Sequence, residues 1–244
     1  MASANDEFLH GEDLPPVTEW IPLSLTFVEY PKGDWIGKIL ALSSLLPLGI
    51  ISGFVALILF RRDLHTIIFF LGTLLNELIN IVLKNIICEP RPLARNVLYT
   101  EYGMPSAHAQ FSWFFATYII YFVLIRLHHM NNNTTLENVW KTVIIVGCVF
   151  LATVISISRI YLQYHTWKQV LCGALVGILF GTFWFAITYL IFTPYFPVVA
   201  SWKISELLLI RDTTLIPNIL WFEYTNSRQE ARARGRKLVS VKSQ

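Results

Sequence analysis

Charge is scarce in this 244-residue sequence: Asp, Glu, Lys and Arg make up 14% of it, against about a quarter in an average soluble domain. That leaves too little polar surface for a water-facing globule of this size. Cysteine is also rare. Cys88, Cys148 and Cys172 are an odd number without metal-site spacing, so neither a disulfide framework nor a zinc centre is read. Cys148 and Cys172 lie in apolar blocks and are expected to be buried packing residues. No basic stripe with interleaved aromatics accompanies the net charge of +3, which argues against a nucleic-acid partner. The first thirty-odd residues are polar and acidic rather than basic and then apolar. No cleavable signal peptide is read, and the first apolar block is expected to act as its own insertion signal. Internal repeats and low-complexity tracts are absent.

What the sequence does have is apolar length, with 55% hydrophobic residues and a mean hydropathy of +0.53. A spanning helix needs roughly 20 mainly apolar residues. Five blocks qualify: Ile39–Phe60, Thr66–Ile87, Ala109–Ile125, Lys141–Ile157 and Val170–Phe192. A sixth stretch, Ile204–Phe222, is interrupted by Arg211, Asp212 and Pro217 and reads better as interfacial or re-entrant. The fold class is therefore an all-α polytopic membrane bundle of about five helices, six if that stretch crosses. Residues 1–38 form an amino-terminal segment, 39–192 the membrane-embedded domain, and 193–244 an interfacial segment with a basic tail.

Lys and Arg concentrate on cytoplasmic flanks. Seven acids (Asp6, Glu7, Glu12, Asp13, Glu19, Glu29, Asp34) precede the first block, and Arg61 and Arg62 follow it. The tail carries Arg228, Arg232, Arg234, Arg236, Lys237 and Lys242. Five spans with this bias put the amino terminus outside or lumenal and the tail cytoplasmic. The loops Cys88–His108 and Ser158–Gln169 are then lumenal. The loop at Asn131–Asn133 is cytoplasmic, so its glycan-acceptor patterns are expected to stay unmodified.

Polar residues within spans are costly and usually functional. In the second block Asn76, Asn80 and Lys84 share one helical face through their i,i+4 spacing, with Glu77 beside them. Interhelical hydrogen bonding explains the asparagines without chemistry, and snorkelling explains Lys84 equally well. Further on come Arg91-Pro92, Pro105-Ser106-Ala107-His108, Ser158-Arg159 and His165, all at helix ends on the same side. The set offers three cations, a hydroxyl and two imidazoles. Cations suit phosphate oxygens, a helix start opened by Pro105 suits an anion, and two imidazoles supply a nucleophile and a proton donor. No acidic metal cluster lies nearby, so no metal and no other cofactor is expected. Arg95 is read as a solvated loop residue, and His10, His65, His128 and His129 as chemically silent. The run Trp113-Phe114-Phe115 is read as packing or lipid-facing surface, and Trp167 as an interfacial anchor.

In order and spacing, Lys84-x6-Arg91-Pro92, Pro105-Ser106-Ala107-His108 and Ser158-Arg159-x5-His165 resemble the three-part signature of the type 2 phosphatidic acid phosphatase superfamily. The resemblance implies a membrane lipid phosphatase acting without metal on a polyprenyl pyrophosphate. Lys84, Arg91 and Arg159 would hold the transferred phosphate, and Ser106 would add a hydrogen bond. His165 would attack phosphorus, and His108 would protonate the leaving group and later help activate water. Two positions depart from the pattern. Ala107 stands where Gly is usual. Gln169 stands where an Asp orients the nucleophile; its i,i+4 spacing puts the amide on the face of His165, but it carries no charge. Either catalysis tolerates a neutral partner or another carboxylate, Glu89 or Glu77, substitutes. The alternatives to this function are a phosphatase for other lipid phosphates, a non-catalytic lipid-binding scaffold favoured by Gln169, and a transporter, which the lack of inverted repeats disfavours. The sequence does not fix the oligomeric state.

Overall fold

The computed structural model describes residues 20–22, 28–92, 102–126, 134–216 and 218–242. The histidines at 10, 128 and 129, Arg95 and the loop around Asn131–Asn133 lie outside them. The first apolar block forms two helices, α1 (Trp35–Ser43) and α2 (Leu46–Arg61), separated by a turn at Ser44 and Leu45. Pro47 has no N–H for the Ser43 carbonyl, so the hydrogen-bond ladder stops and restarts there. Arg62 takes a left-handed conformation (φ 55°), and Asp63 caps α3 (Leu64–Ile87) by accepting the Thr66 N–H at 3.2 Å. α4 (Ala107–Tyr121) runs on through a π-helical turn, Phe122–Arg126. α5 spans Thr134–Tyr161. α6 (Trp167–Ile187) continues through a second π turn, Thr188–Phe192, into α7 (Thr193–Ala200). A short α8 (Lys203–Leu208) and a long α9 (Ile219–Lys242) follow. Ahead of α1, β1 (Trp20–Pro22) and β2 (Glu29–Pro31) pair antiparallel with Ile21 opposite Tyr30, a hairpin that apolar periodicity does not predict.

Five helical runs are long and apolar enough to cross a bilayer: Trp35–Arg61, Leu64–Ile87, Ala107–Arg126, Thr135–Tyr161 and Trp167–Ala200. The 24 residues of α3 rise about 36 Å, against a hydrocarbon core of about 30 Å. Burial is inverted relative to a soluble fold. Phe60 is 85% and Leu179 69% exposed, while Asn76, Gln110 and Gln169 are fully buried. The protein is a multi-pass membrane protein. Most of the helices outrun the apolar blocks because their polar ends contribute hydrogen bonds but no hydropathy. Ile204–Phe222 does not cross: it breaks after α8, pairs Arg211 with Asp63 as an isolated bridge, and turns before α9. Cys148 and Cys172, expected to be buried, are half-buried, because each sits at the edge of a lipid-facing surface; all three thiols are free.

α4 is the central helix, packed between α3, α5 and α6. Phe114 and Tyr118 of α4 join Phe54, Phe69, Trp184 and Phe185 in the main core, where Phe69 stacks on Tyr118 with ring centroids 3.8 Å apart. Of the aromatic run, Phe114 is therefore core, and Trp113 donates its indole N–H to Ser156 Oγ at 3.1 Å across to α5. A seam of Gly173, Gly177 and Gly181 on α6 lies against the backbone of Ser106, Gln110 and Phe114. A Cβ on Gly173 would stand 2.6 Å from the Ser106 carbonyl oxygen. Small residues four apart permit this close approach in a membrane, where dispersion and polar contacts hold helices together.

Candidate active site

The site assembles where the ends of α3 and α5 meet the starts of α4 and α6. At the end of α5, Gln163 adopts φ 57°. The chain thereby folds back, and the amides of Tyr164 and His165 both reach the Arg159 carbonyl, at 3.0 and 3.1 Å. This turn explains the Arg-x5-His spacing: six positions later, the chain has reversed and faces the last turn of its own helix. Thr166 then caps α6. Its hydroxyl accepts from Gln169 N at 3.3 Å, and Gln169 Oε1 accepts from Thr166 N at 3.2 Å, a reciprocal capping box.

Gln169 is fully buried and uses all of its amide's hydrogen-bonding capacity. Nε2 donates to Glu89 Oε1 and to the Pro90 carbonyl, both at 2.9 Å. Oε1, besides capping Thr166, lies 3.2 Å from His165 Nδ1. The two acceptors at Glu89 and Pro90 require the NH2 end to face them, so the oxygen faces His165. Nδ1 must then carry the proton, which leaves the Nε2 lone pair open. His165 is 4% exposed. Burial first, and then the charges of Arg159 and Arg91, push its pKa down to about 3, so the ring is neutral at pH 7.

Arg159, also 4% exposed, donates from Nη1 to Ser44 Oγ at 3.0 Å. Its guanidinium carbon lies 4.1 Å from the ring centre of Tyr164, whose hydroxyl accepts the Glu29 N–H at 3.0 Å. The fork is thus fixed from its face and from one edge. His108, in the first turn of α4, is hydrogen-bonded to the backbone of Ser44 and lies within the fields of Arg159, Arg91 and Lys84. Ser106 is fully buried at the N-cap of α4; its hydroxyl makes no cap bond and has no hydrogen-bond partner among the described residues. It remains available to an anion at that helix start. Lys84 and Arg91 are half-buried at the end of α3 and just beyond it.

The structure thus brings together all seven residues singled out in the sequence: Lys84, Arg91, Ser106, His108, Arg159, His165 and Gln169. Of the two carboxylates left open, Glu89 reaches Gln169, whereas Glu77 is exposed on α3. Four contributors escaped sequence reasoning. Ser44 anchors Arg159, and Ser43-Ser44 ahead of Pro47 marked the break that exposes it. Tyr164 underlies the same guanidinium. Gly103 lies so close to Gln169 that a Cβ would stand 2.7 Å from Nε2. Gln110 bridges α4 to Asn76 and Asn80. Among the described residues no group of three or more His, Cys, Asp or Glu side chains is placed to hold a metal ion.

The PAP2 superfamily profile matches residues 65–192, which carry all three signature blocks. The chain belongs to the PAP2 superfamily. Dolichyldiphosphatase 1 of Rhinolophus ferrumequinum is 52% identical over 221 residues, covering 90% of this chain and 93% of that protein. The Homo sapiens protein of the same name is 51% identical over the same shares. Among solved structures, a transmembrane PAP2-type phosphatidylglycerolphosphate phosphatase from Bacillus subtilis superposes with a TM-score of 0.53 at 22% identity, covering 66% of this chain and 80% of that one. That likeness shows the PAP2 fold and nothing finer.

Proposed function

We propose that this PAP2 protein hydrolyses dolichyl pyrophosphate to dolichyl phosphate and inorganic phosphate, on the lumenal face of the endoplasmic reticulum membrane. Its product would re-enter the carrier pool for protein N-glycosylation. The observation that carries the reading is a neutral His165 with Nδ1 engaged and Nε2 open, set among Arg159, Arg91 and His108. Relatives about half identical over nine-tenths of the chain carry the dolichyldiphosphatase name, which supports the choice of lipid.

In this mechanism His165 Nε2 attacks the terminal phosphorus, and its bond to the bridging oxygen breaks. Lys84, Arg91 and Arg159 hold the non-bridging oxygens, with Ser106 Oγ as a further donor. His108 gives a proton to the departing dolichyl phosphate. It then takes one from a water that attacks the phosphohistidine, which frees inorganic phosphate and returns His165 to its starting state. The isoprenoid tail stays in lipid while the headgroup meets the cations at the helix ends. The scaffold alternative rested on Gln169, and an amide bonded on both sides does not leave the nucleophile unoriented.

The test is phosphate release from dolichyl pyrophosphate by purified protein in detergent, with EDTA throughout, beside His165→Ala. Release by the wild type that disappears in the variant is expected. Folded wild-type protein that binds the lipid and releases nothing overturns the reading. Competition by phosphatidate or a sphingoid phosphate at lower concentration than dolichyl pyrophosphate reassigns the lipid.

A further inference from the structure

The superfamily pattern supplies a negative charge directly behind the nucleophilic histidine, and here the residue in that place is neutral. Gln169 accepts from His165 with one end of its amide and donates with the other to Glu89. We propose that Glu89 is a positioning residue that supplies this charge at one remove, polarising His165 through the Gln169 amide. The proposal rests on the phosphatase reading above.

The physics is that of a polarised amide. A carboxylate accepting from Nε2–H favours the resonance form with negative charge on Oε1 and positive charge on nitrogen. The oxygen facing Nδ1–H becomes a stronger acceptor. It stabilises the positive charge that the ring gains when Nε2 bonds to phosphorus. A charge-assisted hydrogen bond of this kind is roughly twice as strong as a neutral one. The pairing also accounts for the identity of residue 169. With a carboxylate at 89 within hydrogen-bond reach, Asp or Glu at 169 would set two like charges against each other. Only a side chain that accepts on one side and donates on the other fits between a histidine and Glu89.

The surrounding chain is shaped to hold the contact. Cys88 ends α3 in the left-handed conformation (φ 51°) and caps the Lys84 carbonyl at 3.0 Å. Glu89 and Pro90 thereby leave the helix beside the first turn of α6. The returning chain pins Glu89 through Gly103 N, which donates to its carbonyl at 2.7 Å. Gly103, lacking a Cβ, closes over the amide itself. The relay is thus clamped between residues 88–90 and 103, fourteen positions apart.

A swap separates relay from scaffold. Glu89→Gln keeps the shape and removes the charge. It should lower kcat by about 10- to 100-fold, the range seen when a hydrogen-bond partner behind a metal-ligating residue is lost, taken here as the analogous case. KM should stay within about twofold, because the Glu89 carboxylate is engaged by Gln169 and, in this proposal, acts on His165 only through that amide. Adding Gln169→Glu to Glu89→Gln returns a carboxylate to the relay, now on His165, and should recover about tenfold. Gln169→Glu alone should be worse than wild type. As a second probe, Glu89→Ala should regain activity severalfold with added formate and not with chloride at equal ionic strength. Monodispersity and thermal unfolding in detergent report whether each variant folds. Glu89→Gln with wild-type kcat overturns the relay. So does a loss that neither the swap nor formate relieves in folded protein, which marks Glu89 as structural. Folded wild-type protein that releases no phosphate overturns the phosphatase reading and the relay with it. Wild-type release with an unaffected Glu89→Gln overturns the relay alone.

Discussion

Gly173→Ala places one methyl group where α6 meets the start of α4, beneath the proposed site. The new Cβ would lie 2.6 Å from the Ser106 carbonyl oxygen, 3.2 Å from Ser106 N and 3.3 Å from Gln110 N. All three neighbours are backbone atoms, so no side-chain rotation relieves the contact. Ordinary contact begins near 3.4 Å, so α4 and α6 must part by about 0.8 Å. Overpacking of this kind costs about 1–3 kcal/mol, and the better helix propensity of Ala returns up to about 1 kcal/mol. The protein should therefore stay folded with a modestly lower melting temperature. The site should suffer more. Ser106 N donates to the Gln169 carbonyl at 3.1 Å, so the displacement acts on the joint between the helix start proposed to bind phosphate and the residue proposed to orient the nucleophile. A misplacement of 1 Å costs on the order of 10²-fold in rate. The expected outcome is a kcat loss of about 10- to 100-fold in the phosphate-release assay. Gly147→Ala is the control, since a Cβ there meets nothing within 4 Å; it should match or exceed wild type in stability and equal it in rate. Wild-type kcat in Gly173→Ala, or an equal loss in Gly147→Ala, would refute the claim that this seam sets the geometry.

Two further outcomes follow from buried groups. His165 has a folded pKa of about 3 against 6.5 unfolded, so between those values the unfolded chain binds a proton that the folded chain does not. Stability is then fully present above pH 6.5 and falls as pH drops toward 3, by roughly 2 kcal/mol at pH 5 from this residue. Thermal unfolding at pH 7 and pH 5 should show a smaller drop for His165→Gln than for wild type, and equal drops would refute the assignment. Gln110→Leu removes the bridge to Asn76 and Asn80 and leaves buried amides without it, at about 1–3 kcal/mol per group; a melting temperature unchanged from wild type would show that the network is not structural.

Five spans were legible because apolar length is a direct response to bilayer thickness. The signature residues were legible for a different reason. Each block is short enough that spacing within one helix end or one turn fixes what can face what, as Arg159 and His165 illustrate. The break at Pro47 was in principle readable but lay inside an apolar run that hydropathy treats as uniform. Glu89 and Gln169 are 80 positions apart, and no local period connects them. Both carboxylates near the site therefore looked equivalent until the end of α3 was placed beside the start of α6. The same holds for Ser44 and Arg159, 115 positions apart: the Ser43-Ser44 pair in an apolar block was visible, but the partner of Ser44 was not.

The start of α4 is the reference point from which the site is built, and the bilayer dictates how. Polar side chains inside the hydrocarbon are costly unless they pair with one another across helices, so the amides buried there join helices with little freedom to rearrange. Gln110 donates to Asn76 Oδ1 at 3.1 Å and accepts from Asn80 at 2.8 Å, and Asn80 also donates to the Pro105 carbonyl at 3.3 Å. This ladder ties Ser106 and His108 to α3, which carries Lys84. The glycine seam ties the same helix start to α6 and its Gln169. Ser44 links α1 and α2 to Arg159 and, through its backbone, to His108. Three kinds of contact thus converge on one helix start: an amide ladder, a backbone-to-backbone seam and a serine bridge. Lys84 and the buried Arg159 sit in the last turns of α3 and α5, and Arg91 lies just past the end of α3. The proposed catalytic groups need only short, locally determined turns to meet, because the helices beneath them have already been brought into register.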